Sequence, residues 1–199
     1  MLKSVIFDIG GVIIYHDNDR MLGELRKLLA EPPSSEELLS TVRSSGIGTG
    51  NTTPLSLFRL LTVQFGGTAD YRQWYKAWTC HFSPNLQMID LIFDLARGGI
   101  DCHVCSNTNS AHWSFIQATY PVVFAAMKHV WLSFEMGIEK PAPKIYSTLR
   151  TELGDPAGII FVDDRAENTA CAAEAGFKVH TFTDQARFDR FINEQRLYQ

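Results

Sequence analysis

Ser4-Val5-Ile6-Phe7-Asp8-Ile9-Gly10-Gly11-Val12 is the stretch that decides how this chain is read. Val5-Ile6-Phe7 is a short apolar run bounded by a glycine-softened turn, the pattern of a buried strand. It delivers one carboxylate, Asp8, to the point where that strand ends. Ligands of open α/β sheets bind just beyond the carboxyl ends of strands, so an acid there is held rigidly and faces the ligand. A second run, Gly158-Ile159-Ile160-Phe161-Val162, ends the same way in Asp163-Asp164. With these two strands side by side, three acids converge at one sheet edge, and that points to a metal site.

Outward from these strands the chain has two textures. From about Asp17 to Phe82 it reads helical, with no convincing strand. Met21, Leu22, Leu25, Leu28 and Leu29 recur at helical spacing, and Pro32-Pro33 stops that helix. Ser34 with Glu37 offers a capping box to a second helix, and Thr53-Pro54 starts a third that Gly66-Gly67 ends. A fourth, from about Asp70 to His81, completes a small bundle. From Ser83 onward strands and helices alternate. Ser83-Pro84 is expected to cap a helix carrying Leu86, Ile89, Ile92, Phe93 and Ala96 on one face. Strands are expected at 100–105, near 129–133, at 158–162 and at 177–181, with helices between them and a last helix from Asp184. Such alternation implies a parallel sheet with helices on both faces. The division expected is a core of residues 1–16 and 83–199, with 17–82 inserted as a helical cap over the active edge.

The bulk properties exclude several classes. A chain of 199 residues can bury a sizeable core. Its net charge of −4 and lack of any Lys/Arg cluster argue against nucleic acid as a partner. No apolar stretch reaches transmembrane length, and Met1 leads straight into the first strand without a signal-peptide pattern. Cys80, Cys102, Cys105 and Cys171 lack metal-ligand spacing and read as reduced thiols, so a cytoplasmic protein is expected.

Four polar sites now fall in order at the expected strand ends: Asp8, Ser106-Asn107, Lys140-Pro141 and Asp163-Asp164. Singly each has an ordinary reading. An Asp after a strand is commonly a turn residue, Ser-Asn-Thr-Asn suits a helix start, and Lys140 alone reads as a surface lysine. In one order on successive turns they form a set. Phe7-Asp8-Ile9-Gly10-Gly11-Val12, Ser106-Asn107, Lys140-Pro141 and Phe161-Val162-Asp163-Asp164 resemble the four motifs of the haloacid dehalogenase-like hydrolase superfamily. Residues 137–146 and 168–176 are similar to its third-motif region and to the helix after its fourth, so the resemblance spans the whole chain. It implies an α/β fold with a Rossmann-like parallel sheet and an inserted bundle cap.

The residue types suit phosphoryl transfer, which needs an in-line nucleophile and neutralised equatorial oxygens. Asp8 can attack phosphorus and carry an aspartyl-phosphate. Two anions repel, so a cation is required between them. Mg²⁺ suits Asp8, the Gly10 carbonyl and Asp164, with support from Asp163. Ser106 and Asn107 are the expected phosphate ligands, helped by the start of the following helix, and Lys140 balances charge. The implied partner is a small phosphorylated metabolite.

One position departs from most of the superfamily's phosphatases, which carry a second Asp two residues after the nucleophile as general acid. Here it is Gly10. The segment resembles the bacterial α-D-glucose-1-phosphatase branch, which shares this glycine. An anomeric oxygen leaves more easily than a simple alkoxide, which makes a sugar 1-phosphate a candidate substrate. His16, Asp17 and Asp19 are candidate stand-ins for the acid, or simply a polar loop. Two other readings share the fold: a 2-haloacid dehalogenase, and a non-catalytic phospholigand-binding protein. A dehalogenase needs no metal, and Asp163-Asp164 would repel its anionic substrate. A phospho-acceptor receiver domain is rejected because its acid pair comes first and its lysine last. In the insert, Phe58, Phe65, Tyr71, Trp74, Tyr75, Trp78 and Phe82 read as bundle core rather than substrate wall, with room for one or two to reach the cleft, and the loop 46–51 reads as flexible.

Overall fold

The computed structural model describes residues 2–197. β1 (Ser4–Phe7) is followed by β2 (Ile14–His16), and the chain then enters a helical insert. Its helices are α1 (Asn18–Arg26), α2 (Ser35–Ser44), α3 (Pro54–Phe65) and α4 (Tyr71–Thr79), with a 3₁₀ turn at Ile47–Thr49. β3 (Phe82–Pro84) returns the chain, and α5 (Leu86–Arg97) and β4 (Asp101–Ser106) follow. Next come α6 (Ser110–Thr119), α7 (Pro121–Ala125), β5 (Met127–Leu132), α8 (Ser133–Met136) and α9 (Pro143–Leu153). β6 (Ile159–Asp163), α10 (Ala166–Glu174), β7 (Lys178–Thr181) and α11 (Gln185–Leu197) complete the chain.

The sheet is parallel, in the order β5-β4-β1-β6-β7, so β1 is its centre. Side chains of a strand alternate between faces, and both faces of β1 are covered. Val5 and Phe7 join the cluster formed with Met88, Ile92 and Leu95 of α5 and Phe188 of α11. Ile6 points the other way, onto Ile145, Tyr146 and Leu149 of α9. Val5, Ile6 and Phe7 are wholly buried, each worth about 1.5–3 kcal/mol of hydrophobic stabilisation. The expected α/β sheet with helices on both faces is what the chain forms.

The insert has a core of its own. Leu25, Leu38, Leu57, Leu61, Trp74 and Trp78 pack together, with Phe58, Tyr71 and Tyr75 around them. Asp70 and Gln73 form a full capping box at α4, whereas at α2 Ser34 accepts from the Glu37 N–H.

Two expectations need correction. First, Ser83-Pro84 was read as a helix cap, yet Phe82–Pro84 pairs with Ile14–His16, just outside the helical stretch, as an antiparallel ribbon. This stem carries the chain out to the insert and back. Three residues per strand give too little alternation to read, and Pro84 fits because a two-stranded ribbon has edges that need no N–H. The cap of α5 is Asn85, whose Oδ1 accepts from Met88 N while its Nδ2 donates to the Val12 carbonyl. Second, the loop 46–51, read as flexible, lies against the sheet unit. Ser133 Oγ donates to the Gly48 carbonyl at 2.6 Å, and a Cβ at Gly48 or Gly50 would overlap the Glu139 carboxylate or the Phe134 carbonyl. Among the described residues no helix is long and apolar enough to cross a membrane.

Candidate active site

The register of β1 places the acids. Phe7 pairs with Val104 of β4 on one side and Val162 of β6 on the other. Asp8 and Asp163 therefore emerge one residue later on adjacent strands, and Ser106 two residues after Val104 on the opposite neighbour. The Asp8 N–H donates to the Val162 carbonyl at 2.8 Å, and the Ile9 N–H donates to Asp8 Oδ1 at 2.7 Å, which fixes the carboxylate. Asp8, Asp163 and Asp164 each offer an oxygen within 4.8 Å of the others.

Gly11 is what lets Asp164 close in. Its φ is +73°, and a Cβ there would land on the Asp164 carboxylate, so both conformation and space call for glycine.

Lys140 lies beneath the acids with its side chain only 1 % exposed. Its Nζ is 2.6 Å from Asp163 Oδ2 and 3.1 Å from Asp8 Oδ1, and it donates to the Cys105 carbonyl at 2.7 Å. Burial alone would lower the ammonium pKa, but the Asp8 and Asp163 charges outweigh it and hold it raised. Burial pushes the Asp8 carboxyl up to about 6, with Lys140 pulling against it and Asp163 adding to it. Asp164 is raised by burial and by Asp163. Three carboxylates thus face one ammonium, and the site is short of positive charge.

Several residues do a different job from the one expected. Asn107, read as a phosphate ligand, spends its side-chain amide on the Lys140 backbone: Nδ2 donates to the carbonyl and Oδ1 accepts from the N–H, both at 2.8 Å. The start of α6, read as an anion site, is capped by Asn109, whose Oδ1 takes the N–H groups of Ala111 and His112. Asp163 is wholly buried, and its oxygens accept from Lys140 Nζ, the Arg165 N–H and Asn168 Nδ2. It braces the site, and Asp164 is the acid beside the opening. Asp17 caps α1 by accepting from the Arg20 N–H, and Asp19 stands on the exposed first turn of that helix. Of the three candidate stand-ins, His16 is the one whose ring lines the cavity, directly over Gly10.

That cavity, of about 280 Å³, opens above Asp8, Gly10, Ser106, Asn107 and Asp164. Its far wall contains His81, Phe82 and His112. No motif marked these two histidines, and Asn168 was seen only as part of a helix; a polar residue on a helix carries no sequence signal for which way it faces. Phe82, read as bundle core, belongs to this wall.

No family model matches the chain. A D-ribitol-5-phosphate phosphatase of Bacteroides thetaiotaomicron is 28% identical over 192 residues, covering 89% of this chain and 90% of that protein. A HAD-family enzyme of the same organism, solved with magnesium and inorganic phosphate, superposes with a TM-score of 0.84 at 25% identity, covering 94% of this chain and 99% of that one. A HAD-like hydrolase of Porphyromonas gingivalis shares the fold, with a TM-score of 0.84 at 21% identity over 98% of each chain. The motif residues gathered at one sheet edge, the topology around them and these relatives make the chain similar to HAD family enzymes and support the haloacid dehalogenase-like hydrolase superfamily.

Proposed function

We propose that this protein is a Mg²⁺-dependent phosphatase of small phosphomonoesters, with Asp8 as its nucleophile. The observation that carries the reading is the charge balance: three converging carboxylates, one buried ammonium, and a nucleophile whose carboxyl is raised by burial and by the neighbouring Asp163. Hard oxygen donors without thiol or imidazole suit Mg²⁺, and Asp8, Asp164 and the Gly10 carbonyl are the groups to hold it. When bound, the ion offsets the repulsion between the Asp8 carboxylate and a phosphoryl group. The ribitol-phosphate phosphatase and the magnesium–phosphate complex among the relatives also support the reading.

The chemistry divides into two displacements. An Asp8 oxygen attacks phosphorus, the ester P–O bond breaks, and the leaving alcohol oxygen takes a proton from water. Water then attacks the phosphoaspartate, releasing inorganic phosphate and restoring the carboxylate. Lys140 holds Asp8 in line from below and Ser106 faces the phosphoryl oxygens. Asn107 acts at one remove, through the Lys140 backbone. The insert 17–82 serves as the cap. It is pinned to the sheet unit by Tyr75 Oη donating to the Ala111 carbonyl and by Trp78 Nε1 donating to Asn109 Oδ1.

Two leaving groups are candidates. A sugar 1-phosphate suits a site with glycine at position 10, because its anomeric oxygen needs less help. The relative's substrate makes a pentitol phosphate the other. A dehalogenase is disfavoured, since its carboxylate substrate would enter against the Asp8, Asp163 and Asp164 charges. Four free thiols, two of them buried, fit the expected reducing cytoplasm.

The test is phosphate release from glucose 1-phosphate, glucose 6-phosphate and ribitol 5-phosphate, with Mg²⁺ or EDTA, alongside Asp8→Asn. Metal-dependent release lost in Asp8→Asn establishes the reading. Turnover of 2-chloropropionate without metal, and none of the esters, would replace it with the dehalogenase.

A further inference from the structure

The two ends of the cavity differ in chemistry. One end holds the acids and Ser106. The other is a wall of rings, with centroids 4.0 Å apart for His81–Phe82, 5.1 Å for His81–His112 and 5.0 Å for Phe82–His112. His81 and Phe82 arrive with the return strand of the stem, and His112 sits in the first turn of α6. The wall therefore forms where the insert meets the sheet unit.

Its polar atoms are specific. His112 Nε2 lies 3.0 Å from the Trp78 carbonyl, and a carbonyl only accepts, so Nε2 carries the hydrogen and Nδ1 is left as an acceptor. His81 is 4% exposed, and its Nδ1 is buried with no partner in the protein. Burial holds both imidazoles neutral, lowering His112 to about 3 and His81 to about 4. A neutral imidazole donates from one nitrogen and accepts at the other, the complement of a hydroxyl group. Positive charge is scarce at this end. Among the described residues lining the cavity, Arg165 is the one Lys or Arg side chain, and it is paired with Glu167.

We infer that His81, Phe82 and His112 determine which leaving group is accepted, selecting a small uncharged polyhydroxylated alcohol and rejecting one that carries a carboxylate or a second phosphate. This rests on the phosphatase reading above. The ring faces cover the C–H surface of a sugar or polyol, and the imidazole nitrogens meet its hydroxyls. A cavity of about 280 Å³, shared with the phosphoryl group, keeps that alcohol small.

The experiment compares kcat/KM for ribitol 5-phosphate, 3-phosphoglycerate, fructose 1,6-bisphosphate and p-nitrophenyl phosphate, all with Mg²⁺. Wild-type protein is expected to favour ribitol 5-phosphate over both anionic esters by at least about tenfold. His81→Phe keeps the ring and removes its nitrogens, so the ratio of ribitol 5-phosphate to p-nitrophenyl phosphate turnover is expected to fall about tenfold. Equal turnover of the anionic esters, or an equal loss on the polyol and aryl esters in His81→Phe, overturns this inference and leaves the phosphatase reading standing. The wild-type ratio needs no variant, so a misfolded His81→Phe does not shelter the claim. No metal-dependent release from any of the four esters overturns the phosphatase reading, and this inference with it.

Discussion

Replacing Lys140 by Met keeps the volume of the side chain and removes its charge. The ammonium now touches Asp163 Oδ2 at 2.6 Å, Asp8 Oδ1 at 3.1 Å and the Cys105 carbonyl at 2.7 Å, with almost no solvent contact. Breaking a buried ion set by deleting one partner costs about 3–5 kcal/mol, because the remaining charge is left uncompensated. Two carboxylates lose their counter-charge here, while a near-isosteric swap adds less than about 1.5 kcal/mol of packing cost. Urea unfolding of metal-free Lys140→Met is expected to show a loss of about 3–5 kcal/mol.

The same titration with Mg²⁺ adds a second reading of opposite sign. A ligand at a hundred times its Kd stabilises the folded state by about 2.7 kcal/mol. With the ammonium gone the acids attract a cation more strongly, so at one fixed Mg²⁺ concentration the variant should gain more stability than wild type. A metal-free loss below about 1 kcal/mol, or a smaller Mg²⁺ gain in the variant, would refute Lys140 as the counter-charge of the site.

Four further outcomes follow from local geometry and burial. Gly50→Ala should cost more than about 2 kcal/mol in urea unfolding, since φ is +76° and the new Cβ overlaps the Phe134 carbonyl. Gly23→Ala, in α1 with nothing within 4 Å, should instead gain about 0.5–1 kcal/mol. His81 has a folded pKa of about 4 against 6.5 for the free group, so the unfolded chain takes the proton first as pH falls. Its contribution is therefore present above pH 6.5 and lost towards pH 4, and the stability of wild type relative to His81→Phe should fall over that window by on the order of 3 kcal/mol. Gly10→Ala places a Cβ 3.0 Å from His16 Cδ2 and 3.2 Å from Nε2, so its cost should drop by about 1 kcal/mol in a His16→Ala background, whereas additivity would mean the ring does not rest on Gly10.

The sheet was legible because its central strands are buried on both faces. Val5-Ile6-Phe7 and Ile159-Ile160-Phe161-Val162 show as unbroken apolar runs, and each ends on an acid that the register then aligns. The stem escaped because three-residue strands carry no period, and Phe82-Ser83-Pro84 has the composition of a helix start. The roles of the amides escaped for another reason. Asn107 and Asn109 look alike in sequence, yet one is bound to the Lys140 backbone and the other caps α6. Which backbone groups lie in reach of an amide is decided by tertiary placement, and a sequence does not display that. The histidine wall was hidden for the same reason, since His81 and His112 are separated in the chain and meet only when the insert docks.

The bracing of Asp8, the proposed nucleophile, runs further than its immediate neighbours. Tyr146 Oη donates to the Asn168 carbonyl at 2.9 Å, Asn168 Nδ2 donates to Asp163 Oδ1 at 2.8 Å, and Asp163 Oδ2 is paired with Lys140, which reaches Asp8. Every link is buried, where hydrogen bonds are stronger and an unmade one is costly. Tyr146 also packs edge-on to Phe161 of β6, so α9, α10 and the central strands share one rigid framework. Electrostatic catalysis depends on dipoles and charges that are already oriented before the reaction, with little left to reorganise. Asn168 therefore acts on Asp8 at two removes, holding the acid that is paired with the lysine that reaches it. The geometry around Asp8 is thus stored in the packing of α9 and α10 against the sheet, and the cavity above it is lined by Asp8, Ser106, Asn107 and Asp164 of the motif set.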